Sequence, residues 1–400
     1  MLISFYSCND ENILEQTSVK ETFTEETPKI SQYDTTEYNS AIGLITNFEK
    51  LLSGNTKSAS IHSISLKGIE TVKFNNVSEK SASLKNEPFN DSINIYTFDI
   101  QSGDRKGFAI VSGDKRVGRI YAYVPDGSLS DTSDIQGMYQ AISSIPDICK
   151  QDLILYDEGD TIEVINKSAS TTADDDPFGS VEEIYGPLLT TEWHQGSPYN
   201  YATPTNGACS YNYYYPVGCG VLATSQAIAY YGKYSSNYDF DALTAQNAIY
   251  TYSSSYLKNQ VSSFIGEVGE SCNAEYGCEG TSTNIVNCKN VLLGFGYDLD
   301  YQPYSYRDKF LHSFAAYDCF KHGDLVLVRG EDSDEGGHMW VYDGCYKIRV
   351  VKAVYYTGLI HCNWGQGENG SNGWYTSYFR YDNDTNFEYY NHFIYMREYH

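Results

Sequence analysis

A cysteine, a histidine and an Asn-Trp pair follow one another in an order that could support nucleophilic attack on an acyl group. Cys219 lies in the run GCG, directly before VLATSQAIAYY, whose apolar residues predict an amphipathic helix that begins at the cysteine. The thiolate is the reactive form of cysteine, and a helix N-terminus favours it because unpaired N–H groups and the helix dipole attract negative charge. The stretch predicts a reactive cysteine, with a buried packing cysteine as the alternative.

A thiol nucleophile needs a histidine that can be distant in the sequence and adjacent in space. His338 differs from the other seven histidines because it follows two glycines at the predicted start of a strand, where its ring can project into a cleft. A surface position at a strand edge is the alternative. Asn363 and Trp364 follow, and in thiol proteases such residues hold the imidazole and shield it from water. The order of the three motifs predicts a Cys–His dyad.

The elements that must position these residues form two domains, as a length of 400 residues also suggests. Residues 93–129 alternate β-favouring runs with Gly-Asp and Asp-Gly turns and predict an antiparallel meander, while residues 135–153 predict a helix. The polar, acidic stretch 166–187 predicts an exposed linker. Further helices are predicted at 38–53, 219–231, 284–294 and 308–321, and four strand-like runs at 324–330, 338–345, 353–364 and 373–381. Helices followed by antiparallel strands predict an α+β fold.

The charge and the cysteine spacing exclude several classes of function. The formal net charge is −25, from 27 Lys and Arg against 52 Asp and Glu, and phosphate binding requires a basic surface, so no nucleic-acid partner is expected. The sequence contains no run of about 18 apolar residues, so no membrane span is predicted. Cys272, Cys278 and Cys288 are spaced too irregularly for a zinc site, so disulfides or buried thiols are predicted instead. We expect no metal and no cofactor.

The N-terminal stretch MLISFYSCNDEN runs from apolar residues into Cys8 and then turns acidic. It lacks the basic region and the longer apolar region of a secretory signal, which predicts the end of a truncated lipoprotein signal over residues 1–8. On this interpretation Cys8 carries a lipid that tethers an exported protein to the cell surface. An ordinary disordered N-terminus is the alternative.

Four stretches, in chain order, resemble the streptopain family of papain-like cysteine peptidases. GPLLTTEWHQGSPYN resembles the opening of the mature domain, GCGVLATSQAIAYY the nucleophile helix, GGHMWVYDG the histidine strand and NWGQGENGSNGWY the aromatic turn, which together cover residues 186 to about 380. GFAIVSGDKRVGRIYAYVPDGSL is similar to the family's inhibitory propeptide.

The resemblance implies roles for individual residues. It places the nucleophile at Cys219, the general base at His338 and the covering tryptophan at Trp364, with Asn363 where the imidazole is held. The oxyanion-hole glutamine falls at Gln302. Gly337 and Ser282 are the predicted substrate-binding residues. The sequence departs from the family at Gln366, where the family has a second tryptophan, and at Gly220, where a branched residue is common. Apart from the resemblance, a glycine directly after the cysteine predicts that a substrate backbone can approach there.

The resemblance also implies an overall function. Residues 9–180 would form an inhibitory prodomain and residues 181–400 a papain-like α+β peptidase domain. The expected protein is an exported cysteine endopeptidase, made as a zymogen and activated by cleavage in the linker, whose partners are protein or peptide substrates and its own prodomain. Two alternatives remain open: an inactive, Tyr-rich binding or adhesion relative, and a cysteine-dependent acyltransferase with the same dyad.

Overall fold

The protein is described by a computed structural model. The described residues are 34–53, 63–73, 92–133, 135–157, 183–205, 213–232, 237–302, 316–332, 336–349, 356–376 and 390–397. In this part of the chain, no helix combines the length and the apolar character needed to cross a bilayer. Cys8 lies outside the described residues.

The helices and strands are numbered in chain order. The helices are α1 (Thr35–Leu52), α2 (Gln136–Ser143), α3 (Ile145–Asp157), α4 (Cys219–Tyr231), α5 (Phe240–Thr244), α6 (Ser255–Ser271) and α7 (Ile285–Gly294), with a 3₁₀ helix at Leu129–Ser133. The strands are β1 (Ser63–Lys73), β2 (Ser92–Ser102), β3 (Arg105–Ser112), β4 (Arg119–Val124), β5 (Glu183–Tyr185), β6 (Glu275–Tyr276), β7 (Thr281–Ser282), β8 (Asp298–Gln302), β9 (Val326–Asp332), β10 (Gly336–Arg349), β11 (Tyr356–Asn363), β12 (Gly373–Thr376) and β13 (Tyr390–Arg397).

The N-terminal domain is an antiparallel meander covered by helix α1. The Asp34 carboxylate caps this helix by accepting a hydrogen bond from the Thr36 backbone N–H at 2.8 Å. Four residues at helical spacing, Ala41, Leu44, Ile45 and Phe48, form its buried face. They pack on β2, β3 and β4, where alternate residues are apolar and buried. The predicted α+β character of this domain is confirmed.

One antiparallel sheet runs through both domains. Its order is β1-β2-β3-β4-β12-β11-β10-β9-β13-β8, with β5 added beside β10. The two domains join where β4 pairs with β12, through Trp374 opposite Tyr123 and Tyr375 opposite Ala122. The N-terminal domain therefore docks by extending the sheet of the second domain.

Helix α4 begins and ends at the predicted residues, but it is not amphipathic. Every residue from Cys219 to Ala229 is buried. The helix packs against β10 on one side and against α6 and α7 on the other, so it has no solvent face. A helix that is buried all round is typical of a protein core, although this one carries the buried polar side chains of Thr224, Ser225 and Gln226.

The end of the predicted linker contains a strand, whose residues are half-buried, followed by exposed Gly186 and Pro187. Residues 183–185 form β5, which pairs with Cys345, Tyr346 and Lys347 of β10. The Leu188 N–H then donates to the carbonyl of Asp343 at 2.9 Å. Residues 166–182 of the predicted linker lie outside the described part.

Other predicted features are confirmed in part. The helix predicted at 135–153 is two helices, α2 and α3, separated at Ser144. Residues 316–321, the described part of the helix predicted at 308–321, are helical. Cys278 is disulfide-bonded, whereas Cys272 and Cys288 are buried free thiols, so both outcomes predicted for these cysteines occur.

Candidate active site

Cys219 is the first residue of helix α4, and the residue before it must be glycine. Gly218 has φ +91°, a conformation that L side chains rarely adopt, and an added Cβ would lie 2.6 Å from the Thr281 carbonyl oxygen. Because Gly218 has no side chain, it supplies no capping oxygen to the first N–H groups of the helix. Cys219 is buried, with 7% of its surface exposed. Cys219 therefore lies at the positive, N-terminal end of the helix dipole.

Gly220 serves packing, and the prediction that it admits a substrate backbone is wrong. An added Cβ would lie 2.6 Å from the Thr283 methyl carbon and 2.9 Å from the Met339 sulfur. Gly220 is therefore the point where α4 and the start of β10 touch. The same contact brings the chain neighbours of Cys219 and His338 together.

His338 lies near the start of β10, opposite Gly330 of β9. Its ring stacks on Trp340, with centroids 5.9 Å apart and planes at 16°. Its Nε2 atom is 3.3 Å from the Trp364 carbonyl oxygen, within hydrogen-bond range. The imidazole thus contacts both Trp340 of the same strand and the aromatic turn, and its projection into a cleft stays a prediction.

Asn363 and Trp364 begin the turn after β11, and their side chains are held by other groups. Asn363 donates to the Thr191 carbonyl at 2.7 Å and accepts from Gln226 at 3.3 Å and from the Gly365 N–H at 3.1 Å. Among the described residues, it forms no hydrogen bond with His338. The prediction that its amide holds the imidazole is not supported by this geometry, and the residue beside it makes the histidine contact instead.

Trp364 is a fixed wall of the site. Its indole N–H donates to the Ser371 carbonyl at 3.1 Å. Its ring lies between Trp340 and Tyr375, with both centroids 5.3 Å away. Only 2% of its surface is exposed. The predicted covering tryptophan therefore lies beside His338, which its backbone carbonyl contacts, and its role in shielding the imidazole from water stays a prediction.

The N-terminal domain sits directly on this wall. Gly137 of α2 faces the Trp364 ring so closely that an added Cβ would collide with it. The Ser371 hydroxyl donates to the Asp131 carboxylate at 2.6 Å and accepts from the Ser128 N–H at 3.1 Å. Helix α2 and the 3₁₀ helix before it thus cover the aromatic turn. The sequence predicts a helix over 135–153, but neither the 3₁₀ helix nor this contact.

The predicted substrate-binding residues Ser282 and Gly337 lie on β7 and β10. Ser282 is exposed on β7, and the Thr281 hydroxyl beside it donates to the Pro216 carbonyl at 2.6 Å, which places Ser282 beside the start of α4. Gly337 packs on Arg329, whose guanidinium atoms would lie 3.1 Å from an added Cβ.

Gln302 is not brought to the strand that carries His338. It pairs with Phe393 of β13, and two further steps of sheet register lead to Trp340 of β10. At the usual strand spacing of about 4.8 Å, three steps separate Gln302 from β10 by roughly 14 Å. The oxyanion role of Gln302 stays a prediction, and this placement does not favour it.

A buried His–Asp pair anchors the start of the second domain behind the site. The His361 Nδ1 atom lies 2.6 Å from the Asp343 carboxylate, which also accepts the Leu189 N–H at 2.9 Å. Both side chains are largely buried. Gln366, at the departure from the family pattern, forms a backbone bridge with His194, and burial lowers the pKa of that imidazole.

Gln226 is a further residue that sequence reasoning missed. It is completely buried on α4, and it hydrogen-bonds both the opening segment of the second domain and the Asn363 turn. A glutamine inside the apolar run VLATSQAIA was the available signal.

Comparison with known proteins identifies both domains. The model of the peptidase C10 family matches residues 193–375, which contain α4, β10 and the aromatic turn. Residues 193–375 are similar to the peptidase C10 family. The model of the Spi protease inhibitor matches residues 35–149, the domain that covers Trp364.

Individual relatives agree with this assignment. Two streptopains from Streptococcus pyogenes are each 25% identical to this chain over 321 residues, which is 68% of this chain and 71% of the relative. A solved fragment of prointerpain A from Prevotella intermedia superposes with a TM-score of 0.51 at 19% identity, over 82% of this chain and 98% of the fragment. The structural match establishes the fold, an arrangement of helices around one antiparallel sheet that extends over both domains.

Proposed function

We propose that the chain is a cysteine endopeptidase made as a zymogen, with Cys219 as nucleophile and His338 as its acid–base partner. One observation carries the proposal. The first turn of α4, the start of β10 and the Asn363–Trp364 turn meet under an inhibitor-like domain. A reactive thiol, an imidazole and an indole wall are the groups that acyl transfer through cysteine requires.

In the proposed mechanism, the Cys219 thiolate attacks the carbonyl carbon of the scissile peptide bond. The carbonyl becomes a tetrahedral oxyanion, to which the backbone N–H of Cys219 can donate at the helix start. When the oxyanion collapses, the C–N bond breaks and the imidazolium of His338 gives its proton to the leaving amine. A thioester remains on Cys219.

Deacylation reverses the roles. Water attacks the thioester carbonyl while neutral His338 takes one of its protons, and the carboxylic acid product leaves as the C–S bond breaks. The Trp364 ring limits the access of other water to the imidazole, which keeps the charged pair in a low-dielectric environment.

The N-terminal domain keeps the zymogen inactive in this proposal. It covers Trp364 and Ser371 beside His338, where a substrate on that side of the site would lie. Cleavage in the predicted linker at 166–187 frees this domain. Residues 183–189 remain attached to the peptidase domain through β5 and through the bonds to Asp343.

The decisive experiment compares the wild type with Cys219→Ala and His338→Ala on casein, with mass spectrometry of the chain's own processing. We expect the wild type to process itself and digest casein, and both variants to do neither. Digestion by the Cys219→Ala chain would disprove the mechanism. A folded wild type without activity would favour the inactive binding relative, and amine incorporation without net hydrolysis would favour the acyltransferase.

We also propose that the protein is exported and tethered through a lipid on Cys8. The apolar stretch before Cys8 and the acidic residues after it support this proposal. Incorporation of an alkynyl fatty acid into the wild type and not into Cys8→Ser, in the producing cells, is the expected result. Equal labelling of both chains would refute it.

A further inference from the structure

The buried amide of Gln226 joins three parts of the second domain that surround the reactive residues. It lies seven residues after Cys219 on α4, nearly two helical turns away and therefore on the same helix face. Its Oε1 atom accepts from the Thr191 hydroxyl at 3.0 Å and from the Trp193 N–H at 3.3 Å. Its Nε2 atom donates to the Asn363 Oδ1 atom at 3.3 Å.

These bonds form a closed polar cluster inside an apolar core. Asn363 returns to the opening segment by donating to the Thr191 carbonyl at 2.7 Å, and it accepts the Gly365 N–H at 3.1 Å. Gln226, Thr191 and Asn363 are each at most 3% exposed. Buried polar groups are costly unless they are bonded, so such a cluster has one preferred arrangement.

The cluster is connected to His338 through the residue that follows Asn363. Asn363 fixes the start of the turn, and the next residue, Trp364, has its carbonyl oxygen 3.3 Å from the His338 Nε2 atom. On the other side of the turn, a Cβ at Gly365 would lie 3.0 Å from the Leu222 side chain of α4. The turn is therefore seated on the same helix that begins with Cys219.

We propose that Gln226 is a positioning residue for the dyad. Through Asn363 it sets the separation between α4 and the Trp364 turn, and thereby the position of the His338 ring relative to the Cys219 sulfur. The inference rests on the proposed peptidase function. It assigns Gln226 no contact with substrate: its effect passes through Asn363 and Trp364.

The test uses the full chain, activated as for the wild type, with Gln226→Leu and a matched control, Ser225→Ala. Ser225 is the preceding residue of the same helix, equally buried, and its hydroxyl donates only within the helix, to the Val221 carbonyl at 2.8 Å. Two quantities are measured: kcat and KM on a peptide substrate, and the pH profile of Cys219 alkylation by iodoacetamide. Alkylation reports the thiolate, which a nearby imidazolium stabilises.

We expect Gln226→Leu to lower kcat about 10- to 100-fold, the effect of misplacing a catalytic group by about 1 Å, with a change in KM of less than about twofold. The alkylation profile should move to higher pH because the imidazolium is no longer held beside the sulfur. Ser225→Ala should leave both quantities near the wild-type values. A Gln226→Leu chain with wild-type kcat and alkylation profile, and only a lower melting temperature, overturns the proposal.

A second variant, Gln226→Glu, keeps the proposal testable if Gln226→Leu does not fold. Gln226→Glu has the same shape, and its protonated acid can both accept from Thr191 and donate to Asn363, whereas the ionised form cannot donate. Its activity relative to the wild type should therefore rise as the pH falls. A ratio that is constant with pH counts against the proposal. If the wild type and Ser225→Ala are themselves inactive and unalkylated, the peptidase function fails first, which separates the two results.

Discussion

Helix α2 of the N-terminal domain presses a glycine against the indole that covers the site, so the Gly137→Ala substitution tests whether this contact keeps the zymogen closed. An added Cβ would collide with the Cζ3 atom of Trp364 and lie 3.1 Å and 3.2 Å from two further ring carbons. The ring cannot move aside cheaply, because its N–H is bonded to Ser371 and it packs against Trp340 and Tyr375.

The magnitude follows from overpacking. Inserting a methyl group into a well-packed contact costs about 1–3 kcal/mol. Alanine also favours the helix more than glycine does, but this gain is present in the docked and undocked states and cancels if α2 remains helical in both. The ratio of undocked to docked domain should therefore rise about 5- to 150-fold.

The assay follows conversion of purified full-length chain to the processed form, and the melting temperature is measured in the inactive Cys219→Ala background. We expect Gly137→Ala to accelerate self-processing and to lower the melting temperature. Gly43→Ala is the matched control, because Gly43 lies on α1 of the same domain and an added Cβ would have no neighbour within 4 Å. Gly43→Ala should leave the processing rate unchanged and raise the melting temperature slightly.

Equal processing rates and equal stability for the two alanine variants would refute the reasoning. They would mean that α2 does not bear on Trp364 as described. A Gly137→Ala chain with a lower melting temperature but the wild-type processing rate would show that the contact stabilises the fold without limiting activation.

Three further predictions concern pH and packing. Burial raises the pKa of Asp126, and the charge of Glu368 across the domain boundary raises it further. Docking of the N-terminal domain should therefore be stronger at low pH and weaken as the pH rises through that pKa. The check is the melting temperature of the Cys219→Ala chain between about pH 4 and 8, roughly the range over which a perturbed carboxyl titrates. Asp343→Ala leaves the His361 ring and a buried N–H without their acceptor and should destabilise the fold by about 1–3 kcal/mol per group in denaturant titration. Gly220→Ala inserts a methyl group between α4 and β10 and should cost about 1–3 kcal/mol of stability, measured in the same way.

Local signals predicted the nucleophile helix and the histidine strand well. The bounds of α4 follow from the Gly-Cys-Gly start and the apolar run, and its last residue is followed by Gly232 in the left-handed conformation typical of a helix end. Helix α6 was missed although its signals were present: Ser254 caps it and Val261, Ile265 and Val268 repeat at helical spacing.

The functional arrangement was predictable only in part. Motif order pointed to Cys219, His338 and Trp364, and the structure brings their elements together. It could not show that Asn363 bonds Gln226 and Thr191 instead of the imidazole, because this depends on which buried amides meet in the core. The prediction for Gly220 is wrong for a similar reason. A glycine beside a reactive residue gives the same sequence signal whether substrate or Met339 packs against it.

The pairing of β4 with β12 has a consequence for how the chain folds during its synthesis. The β2–β3–β4 meander leaves the ribosome first, and its strands can pair with one another before the later strands exist. When β12 emerges, its outer neighbour is already in place, and Trp374 and Tyr375 add to a finished edge instead of presenting an open one to other chains. The N-terminal meander is thus also the template on which the sheet of the second domain is completed.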